Sequence, residues 1–508
     1  MKRFYVFLFV NCIGLSLVQG NVKLPGIFSD NMVLQREMRV PVWGWADPGE
    51  SVRVEIGGHF AQTLADSNGK WKVYLNPLDT GGPFQLTITG KNSVIIQNVL
   101  VGEVWVCSGQ SNMAMEVQES ANAKQEISSA DYPQIREFQV KRTKSLKPLE
   151  DVSPVEHPET SGLNKWEVCD SSTVGHFTAV GYYFGLNLYK KLKVPIGLIH
   201  ASWGGTTAEA WTPRDTMETD PELHLILKHW PDYNNDEEWL KEEYEKFVKA
   251  VENAHTQGLP EPLYFNQPSV LFNGIIAPVI PYAIRGVVWY QGESNAYRSY
   301  QYRALLPALI KKWRSIWGEG TFPFLIVQLA NYHFEPQVFP ELREAQNMAL
   351  SLPHTAIVVT IDLGDSASIH PLNKQEVGRR LFLVASNKVY GEEILCSGPA
   401  FKSMYIAGNT CSITFLNEGE GLIPAESRNL KGFTIAASDR IFYEANAIID
   451  GDKVLVWNDV VPHPVAVRYA WANYPKGCNL SNQQGNKSFL PASPFRTDEW
   501  PGITCYRK

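Results

Sequence analysis

Ser111 follows a buried strand through a glycine turn, an arrangement that can present a reactive hydroxyl. The apolar, β-branched run over residues 99–106 predicts the strand. Gly109 and Gln110 form the turn, and the residues from Asn112 onward are compatible with a helix. A serine in this position lies close to helix N-terminal amides, which can hold a developing oxyanion. The pattern predicts a nucleophilic Ser111; the alternative is a serine that only caps the helix.

A serine hydroxyl needs a base to accept its proton, and His370 is the candidate. A neutral imidazole accepts protons near pH 7. His370 follows a predicted strand over residues 355–361 and precedes a predicted helix over residues 375–389. Ser111 and His370 therefore belong to the same layer of strand ends, where chemistry collects in an open parallel sheet.

The other predicted strands also run into polar segments, most of which contain glycine. These segments are Trp203-Gly204-Gly205-Thr206, Gln291-Gly292-Glu293-Ser294-Asn295, Asn331-Tyr332 and the stretch from Asp362 to Asp365. Donors for an oxyanion are predicted from the Ser111 N–H, a glycine N–H of Gly204-Gly205 and the side-chain amide of Asn295. For Asn295 the alternative is a turn cap.

The elements that must position these residues form three regions after a leader. Residues 1–20 combine Lys2 and Arg3 with an apolar run, which predicts a cleaved secretory signal and a secreted or periplasmic protein; a retained anchor is the alternative. Residues 21–97 predict a β-sandwich of short strands. Residues 98–390 alternate apolar strands with amphipathic helices, which predicts an α/β domain with a parallel sheet. Residues 391–508 predict a second β-sandwich.

Within the α/β region, residues 215–267 form an excursion whose charged helix, over 236–253, is predicted to be a solvated surface element. A helix over 300–317 is expected to kink or restart at Pro307. A further helix is predicted over residues 173–192.

Composition excludes several classes of partner. The chain has 508 residues and a net charge of -7, which argues against nucleic acid and anionic membrane surfaces. No CxxC pair is present, so we predict no structural metal and no cofactor. Removal of the signal removes Cys12 and leaves an even number of cysteines, for which Cys396–Cys411 and Cys478–Cys505 are the local pairings to consider.

The blocks around these residues, in this order, resemble those of the SGNH hydrolases and more narrowly the sialate O-acetylesterase family. They are Phe28-Ser29-Asp30-Asn31-Met32-Val33-Leu34-Gln35, Gly109-Gln110-Ser111-Asn112, Gly204-Gly205-Thr206, Gln291-Gly292-Glu293-Ser294-Asn295, Ile369-His370-Pro371 and Asn373-Lys374-Gln375-Glu376-Val377-Gly378-Arg379-Arg380-Leu381. The resemblance covers nearly the whole mature chain. It implies a flavodoxin-like catalytic domain that removes acetyl groups from sugar hydroxyls.

By the same resemblance, Ser111 is the nucleophile, His370 the base, and Asn295 with the Gly204-Gly205 loop the oxyanion donors. Gln110, Gln291 and Glu293 lie in the same blocks and are further candidates for substrate contact. One departure concerns the acid that orients the histidine. Many SGNH enzymes place it three residues before the histidine, where this chain has Ala367. Asp365 is favoured, Asp362 is nearby, and a dyad oriented by a backbone carbonyl is equally physical.

The function predicted is a secreted serine esterase that deacetylates O-acetylated sialic acid, with acetylated xylan as the alternative substrate. A sialate carboxylate would need a cation, for which Arg285, Arg298 and Arg343 are candidates. Two other classes are a glycosidase with Glu209 and Glu293 as paired acids, and a non-catalytic carbohydrate-binding protein. The sequence leaves the oligomeric state open.

Overall fold

A parallel sheet forms the centre of the computed structural model, which describes residues 21–156, 162–235, 238–425, 429–485 and 487–505. Its strands are β7 (Ser93–Gly109), β8 (Asp131–Gln139), β9 (Trp166–Asp170), β10 (Ile196–Ser202), β11 (Gly286–Tyr290), β12 (Phe324–Val327) and β13 (Thr355–Val358). They lie in the order β13-β12-β11-β7-β10-β8-β9. Neighbours run parallel except β9, which is antiparallel to β8. The predicted signal at residues 1–20 lies outside the described residues.

Helices cover this sheet because its strands are apolar and buried on both faces. In the described residues they are α1 (Ser111–Ala114), α2 (Ala123–Ser129), α3 (Ala179–Leu192), α4 (Arg214–Thr219), α5 (His224–His229), α6 (Glu238–Gln257), α7 (Ser299–Trp317), α8 (Phe339–Met348) and α9 (Lys374–Lys388). Short 3-10 segments include Val117–Glu119, Val174–His176 and Glu293–Arg298. On one face α3 packs closely against α9, since a Cβ at Gly378 would lie 2.6 Å from the Cβ of Tyr183.

The N-terminal β-rich region is continuous with the central sheet through β7. The region contains β1 (Val33–Gln35), β2 (Val40–Trp45), β3 (Ser51–Ile56), β4 (His59–Leu64), β5 (Lys70–Leu75) and β6 (Gly81–Thr89). The first part of β7 pairs with β6, and the last part pairs with β10 and β11. The predicted boundary between residues 97 and 98 therefore falls inside one strand, and the buried side chains on both sides of it form one continuous core.

The C-terminal β-rich region has a second core, which includes Ile413, Phe433 and Val456. Its strands are β14 (Ala400–Ala407), β15 (Thr410–Leu416), β16 (Leu422–Pro424), β17 (Phe433–Ala436), β18 (Phe442–Glu444), β19 (Asn446–Asp450), β20 (Lys453–Trp457), β21 (Ala466–Tyr469), β22 (Leu480–Gln484), β23 (Lys487–Pro491) and β24 (Phe495–Arg496). They pair as β14-β15-β20-β19, β18-β17-β21-β24 and β16-β22-β23. The prediction of a mixed α/β protein with additional β-rich regions is confirmed. The flavodoxin-like SGNH assignment, the sandwiches and the domain boundaries stay predictions.

Several element predictions need correction. The helix predicted from residue 173 begins at Ala179, after the short Val174–His176 segment. α7 runs through Pro307 as one helix, so the restart is wrong and the kink stays a prediction. The charged helix of the excursion extends further than predicted, from Glu238 to Gln257. In the described part of the chain, no helix has both the length and the apolar character needed to cross a membrane.

The cysteine pairings considered from the sequence are wrong. The six cysteines of the described residues are all free. Cys396 belongs to the central core and Cys411 to the C-terminal core, so each thiol packs as a small apolar side chain in a different part of the protein. Burial raises the pKa of the Cys411 thiol to about 11, which keeps it protonated and unreactive at neutral pH.

Candidate active site

Ser111 and His370 are in hydrogen-bond contact at the carboxyl end of the sheet. The Oγ of Ser111 lies 2.9 Å from Nε2 of His370, although 259 positions separate them in the chain. Ser111 is the first residue of α1, and the capping position belongs to Gln110. The alternative of a helix-capping serine is therefore wrong. The contact places a hydroxyl beside a possible base, as nucleophilic catalysis requires.

The turn before Ser111 depends on Gly109. Its φ is 136°, and a Cβ at this position would lie only 2.1 Å from the carbonyl oxygen of Tyr290, the last residue of β11. In register, Gly109 pairs with Ser202 of β10 and with Tyr290. The ends of three adjacent strands therefore meet at this turn, and Ser111 emerges from the middle of them.

The Gly204-Gly205 loop lies directly against Ser111. The loop is anchored where the Trp203 N–H donates to the Gly109 carbonyl at 3.1 Å. A Cβ added at Gly204 would be 3.3 Å from the Cβ of Ser111. This close backbone approach is the placement that the predicted oxyanion donors require.

Asn295 is held at one end of a buried polar network. Its Oδ1 accepts hydrogen bonds from the Ala208 N–H at 2.8 Å and from Nε2 of Gln291 at 2.7 Å. Its Nδ2 donates to Oε2 of Glu209 at 2.9 Å, and the other oxygen of Glu209 accepts from Arg298 at 2.6 Å. These contacts fix the amide plane of Asn295. One of its two amide hydrogens bonds Glu209, and the other is not used in that bond.

Gln110 and Gln291 are both buried and have structural partners. Oε1 of Gln110 accepts from the N–H groups of Gly292 and Ser294 at 3.2 and 3.4 Å, which ties the serine turn to the loop after β11. Gln291 donates to the Thr206 carbonyl at 3.0 Å and accepts from the hydroxyl of Tyr302 at 2.9 Å. Both amides therefore join neighbouring loops of the site.

The two aspartates near His370 are engaged elsewhere. Asp365 is exposed and accepts from the Ala367 N–H at 2.7 Å. Asp362 forms a bidentate ion pair with Arg380, in which each carboxylate oxygen lies 2.6 Å from a guanidinium nitrogen. Among the described residues no carboxylate is hydrogen-bonded to His370. Burial, and next the positive charge of Lys374, hold the pKa of His370 below its usual value, with Glu119 opposing. A histidine with a lowered pKa is neutral at pH 7, the form in which an imidazole can accept a proton.

Two residues that the sequence reasoning left without a role, Asn112 and Lys374, lie buried behind this pair. Nδ2 of Asn112 donates to Oε1 of Glu293 at 2.6 Å and to the Ile369 carbonyl at 3.0 Å. Its Oδ1 accepts from Nζ of Lys374 at 2.5 Å. The available signal was their position: Asn112 follows the serine, and Lys374 begins the helix after the histidine.

Trp239 is a third residue that the sequence reasoning missed, because it lies on the charged helix predicted to be only a solvated surface. Its ring covers Gly205: a Cβ there would be 2.6 Å from the ring. The side chain is 39% exposed. Trp203 stacks on Phe265 in the same neighbourhood, with centroids 6.1 Å apart. Aromatic rings beside the serine offer apolar faces on which a sugar ring can stack.

The three arginines suggested for binding a carboxylate are committed to other partners. Arg285 pairs with Glu103 and Glu37, and Glu103 faces the first residue of β10, at the opposite edge of the sheet. Arg298 pairs with Glu209, and Arg343 donates to four backbone carbonyls. Arg142 is different: the residue as a whole is exposed, although burial lowers the pKa of its guanidinium. Its Nε donates to the Ser202 carbonyl at 3.1 Å, at the end of β10 beside the serine turn.

The arrangement does not fit a glycosidase. Glu209 and Glu293 are both buried, and they belong to two separate networks, with Arg298 and Asn295 around the first and Asn112 around the second. Paired glycosidase acids need to face each other across one sugar. In the described residues no group of three or more His, Cys, Asp or Glu side chains is arranged to hold a metal ion.

Comparisons with known proteins agree with this chemistry. Residues 101–383 match the model of a carbohydrate esterase family, the sialic acid-specific acetylesterases. The chain is 32% identical to the sialate O-acetylesterase of Mus musculus over 526 residues, covering 92% of this chain and 93% of the relative. For the Homo sapiens enzyme the identity is 31%, with 93% and 92% covered.

A solved structure extends the agreement to the fold. The crystal structure of a carbohydrate acetylesterase from Xanthomonas citri matches with a TM-score of 0.81 and 34% identity, covering 94% of this chain and all of that one. The match includes the central sheet and both β-rich regions, since it spans nearly the whole chain. Together these findings show that the protein is a carboxylic ester hydrolase that removes acetyl groups from carbohydrate, and that the chain belongs to the sialic acid-specific acetylesterase family.

Proposed function

We propose that the protein is a secreted sialate O-acetylesterase in which Ser111 is the nucleophile and His370 the general base. The observation that carries the proposal is the 2.9 Å contact between Ser111 Oγ and His370 Nε2 at the meeting point of three strand ends. Secretion rests on the signal-like sequence of residues 1–20. Mass spectrometry of the N-terminus of protein exported from the native cell would test it, and an N-terminus that retains residues 1–20 would contradict it.

In the first half of the reaction, Nε2 of His370 takes the proton of Ser111 as Oγ attacks the acetyl carbonyl carbon. The carbonyl oxygen becomes an oxyanion, for which the backbone N–H groups of Ser111 and the Gly204-Gly205 loop and the free amide hydrogen of Asn295 are the proposed donors. The intermediate collapses, the C–O bond to the sugar breaks, and the sugar oxygen takes the proton from His370. This leaves an acetyl ester on Ser111 and a free sugar hydroxyl.

In the second half, His370 takes a proton from water as the water oxygen attacks the acetyl ester. The new intermediate expels Ser111 Oγ, which regains its proton from His370, and acetate is released. No carboxylate is required for this cycle if the imidazole is held in place by backbone and buried neighbours. Ser368 fixes the backbone that carries the imidazole, since its Oγ accepts from the backbone N–H of His370 at 3.2 Å.

Activity should fall in acid with an apparent pKa below 6.5, the usual value for histidine. Protonated His370 cannot accept the serine proton, so activity is lost as the pH drops through the pKa of His370. Because burial and Lys374 lower that pKa, the enzyme should stay active at a pH where an unperturbed histidine would already be charged. A pH profile of kcat/KM on a neutral acetyl ester measures this limb. An apparent pKa above 6.5 for the acid limb would contradict the assignment of His370 as a base in this environment.

The substrate class is the finer part of the proposal. The relatives from mouse and human are named sialate O-acetylesterases, and the Xanthomonas citri structure is named a carbohydrate acetylesterase. Sialic acid carries a carboxylate, whereas acetylated xylose units are neutral. Arg142, a partly buried cation at the strand end beside the serine turn, is suited to a substrate carboxylate. It favours sialate over xylan.

Replacement of Arg142 by Gln should lower kcat/KM for O-acetylated sialic acid by about tenfold to a hundredfold, the value of a charge-assisted contact. Turnover of a neutral acetylated xylo-oligosaccharide or an aryl acetate should stay unchanged, which serves as the internal control. Acetate release is measured for each of the three substrates. Equal losses on anionic and neutral substrates would contradict sialate recognition by Arg142, and a parent that deacetylates only xylan would overturn the proposed substrate.

Replacement of Trp239 by Ala should raise KM for the acetylated sugar by about three- to tenfold, because one aromatic stacking face is lost. The aryl acetate, which has no sugar ring, should show unchanged KM in the same variant. Tyr405→Ala is the matched control, since Tyr405 is an exposed aromatic of the C-terminal region at 72% exposure. If KM for the sugar does not change, the ring of Trp239 only covers Gly205 and does not contact substrate.

A further inference from the structure

Asn112, Glu293 and Lys374 form a polar cluster that is closed off from solvent; we refer to these three residues as the buried cluster. Asn112 and Lys374 have no exposed surface, and Glu293 has 6%. Asn112 lies between the other two and bonds both, and the ring of Tyr290 lies 5.2 Å from Nζ of Lys374. The cluster therefore places a cation and an acid in the interior, joined through one amide.

Burial of these groups is costly, which calls for a reason beyond packing. Burial lowers the pKa of Lys374 to about 7, with Glu293 and Glu119 opposing the shift. Burial also raises the pKa of Glu293, against the hydrogen bond from Asn112. Oε2 of Glu293 is buried and has no hydrogen-bond partner among the described residues. An apolar side chain in place of this lysine would avoid the penalty.

The buried cluster connects three segments of the site: the start of α1 after Ser111, the segment after β11, and the segment around His370. Asn112 directly follows Ser111 in α1. Glu293 begins the short helical segment after β11. Lys374 opens α9, four residues after His370, and the Nδ2 of Asn112 donates to the carbonyl of Ile369, the residue before His370. The distance between Ser111 and His370 thus depends on the orientation of one amide, and Lys374 fixes the oxygen end of that amide.

We propose that Lys374 is a positioning residue that acts through Asn112 to hold the Ile369-His370 segment against Ser111. A second effect of Lys374 on His370 is electrostatic. Neither Asp365 nor Asp362 bonds His370, so among the described residues no carboxylate orients its ring, and the segment that carries it must be held by other groups. The proposal rests on the proposed serine mechanism.

The sign of the electrostatic effect follows from the charges around His370. Lys374 from α9 disfavours the imidazolium, and Glu119 from the Val117–Glu119 segment favours it. Glu293, from the segment after β11, faces Lys374 and favours its charged form. Below pH 7 Lys374 is charged, and this is the range in which His370 titrates. Removal of the lysine charge should therefore raise the pKa of His370 and move the acid limb of activity to higher pH.

Lys374→Met keeps the length of the side chain but removes the charge and the bond to Asn112. On an aryl acetate we expect kcat to fall about 10- to 100-fold with KM nearly unchanged, because the catalytic pair is displaced while the substrate surface is intact. The acid limb of kcat/KM should move to higher pH. Lys388→Met, the same change at an exposed position of α9, should leave kcat and the pH of the acid limb as in the parent.

Lys374→Gln keeps a hydrogen-bond donor near Asn112 without the charge. It should recover part of kcat, but its acid limb of kcat/KM should still lie at higher pH than that of the parent. It also serves if Lys374→Met does not fold, as judged by circular dichroism and thermal unfolding. A folded variant whose acid limb stays where the parent has it would overturn the proposal, and so would an unchanged kcat. Failure of the serine mechanism gives a different result: the Ser111→Ala variant would retain the activity of the parent.

Discussion

Replacement of Ser111 by Ala should reduce kcat for acetyl ester hydrolysis by about 10⁴- to 10⁶-fold, the loss typical of a missing serine nucleophile. Alanine removes only Oγ and its contact with His370, and it suits the first turn of a helix, so the protein should fold normally. Acetate release from O-acetylated sialic acid and from an aryl acetate measures the effect. Because serine and base act as one unit, Ser111→Ala/His370→Ala should be no slower than either single variant.

Ser129→Ala is the matched control for this experiment. Ser129 ends α2, is exposed, and bonds only to backbone carbonyls of its own helix among the described residues. Its loss should leave kcat unchanged. Should folded Ser111→Ala retain the parent's activity, another group performs the attack, and both the proposed mechanism and the positioning role of Lys374 would have to be abandoned.

The proximity of Ser111 and His370 could be predicted from the sequence because two simple rules locate both residues. Apolar runs mark the strands of a parallel sheet, and parallel strands bring their carboxyl ends to one edge. Ser111, Gly204 and His370 each follow such a run, and the structure brings all three to that edge. The rule needs only the order of strands and turns, which the sequence displays directly.

The identity of a third acid could not be predicted, because spacing does not fix the direction of a side chain in a loop. Asp365 and Asp362 are both within a few residues of His370, yet one caps a turn at Ala367 and the other pairs with Arg380. Arg380 lies on α9, 18 residues beyond Asp362. The competition between a histidine and an arginine for one carboxylate is decided by packing, which the sequence does not display.

The buried cluster and Trp239 were missed for a related reason. A lysine that opens a helix normally extends into solvent, and only the convergence of three separate segments buries Lys374. Trp239 lies on a helix whose charge pattern correctly indicates exposure, but one turn of that helix rests on the glycine loop. In both cases the relevant contact joins positions more than 30 residues apart, outside the reach of local patterns.

The extent of β7 explains why a domain boundary could not be located from the sequence. The first part of its seventeen residues pairs with β6 and the last part with β10, so the predicted division falls within one continuous strand. A boundary read from composition requires a linker with few crossing contacts. Here the strand itself is the connection, and the core continues across it.

The C-terminal β-rich region is fastened to the central sheet by Arg343, which is fully buried on α8. Its guanidinium donates to the carbonyls of Leu329 and Ala330 after β12 and to those of Ala472 and Asn473 after β21, at 2.7 to 2.9 Å. Asn473 adds further bonds to the loop before α8, at Phe334 and Pro336. One cation therefore satisfies four carbonyls from two regions in a place closed to water.

Arg343→Met should destabilise the protein by about 3 to 5 kcal/mol, because a side chain of similar length remains but four buried carbonyls lose a charged donor. The urea midpoint, followed by tryptophan fluorescence, should fall clearly, and the C-terminal region should become sensitive to proteolysis at lower urea than the central sheet. Arg214→Met is the matched control: Arg214 is exposed in α4 and pairs only with Glu218 among the described residues, a contact worth about 0.5 kcal/mol. If both variants unfold at the parent's midpoint, the four carbonyls find other partners, and Arg343 does not hold the two regions together.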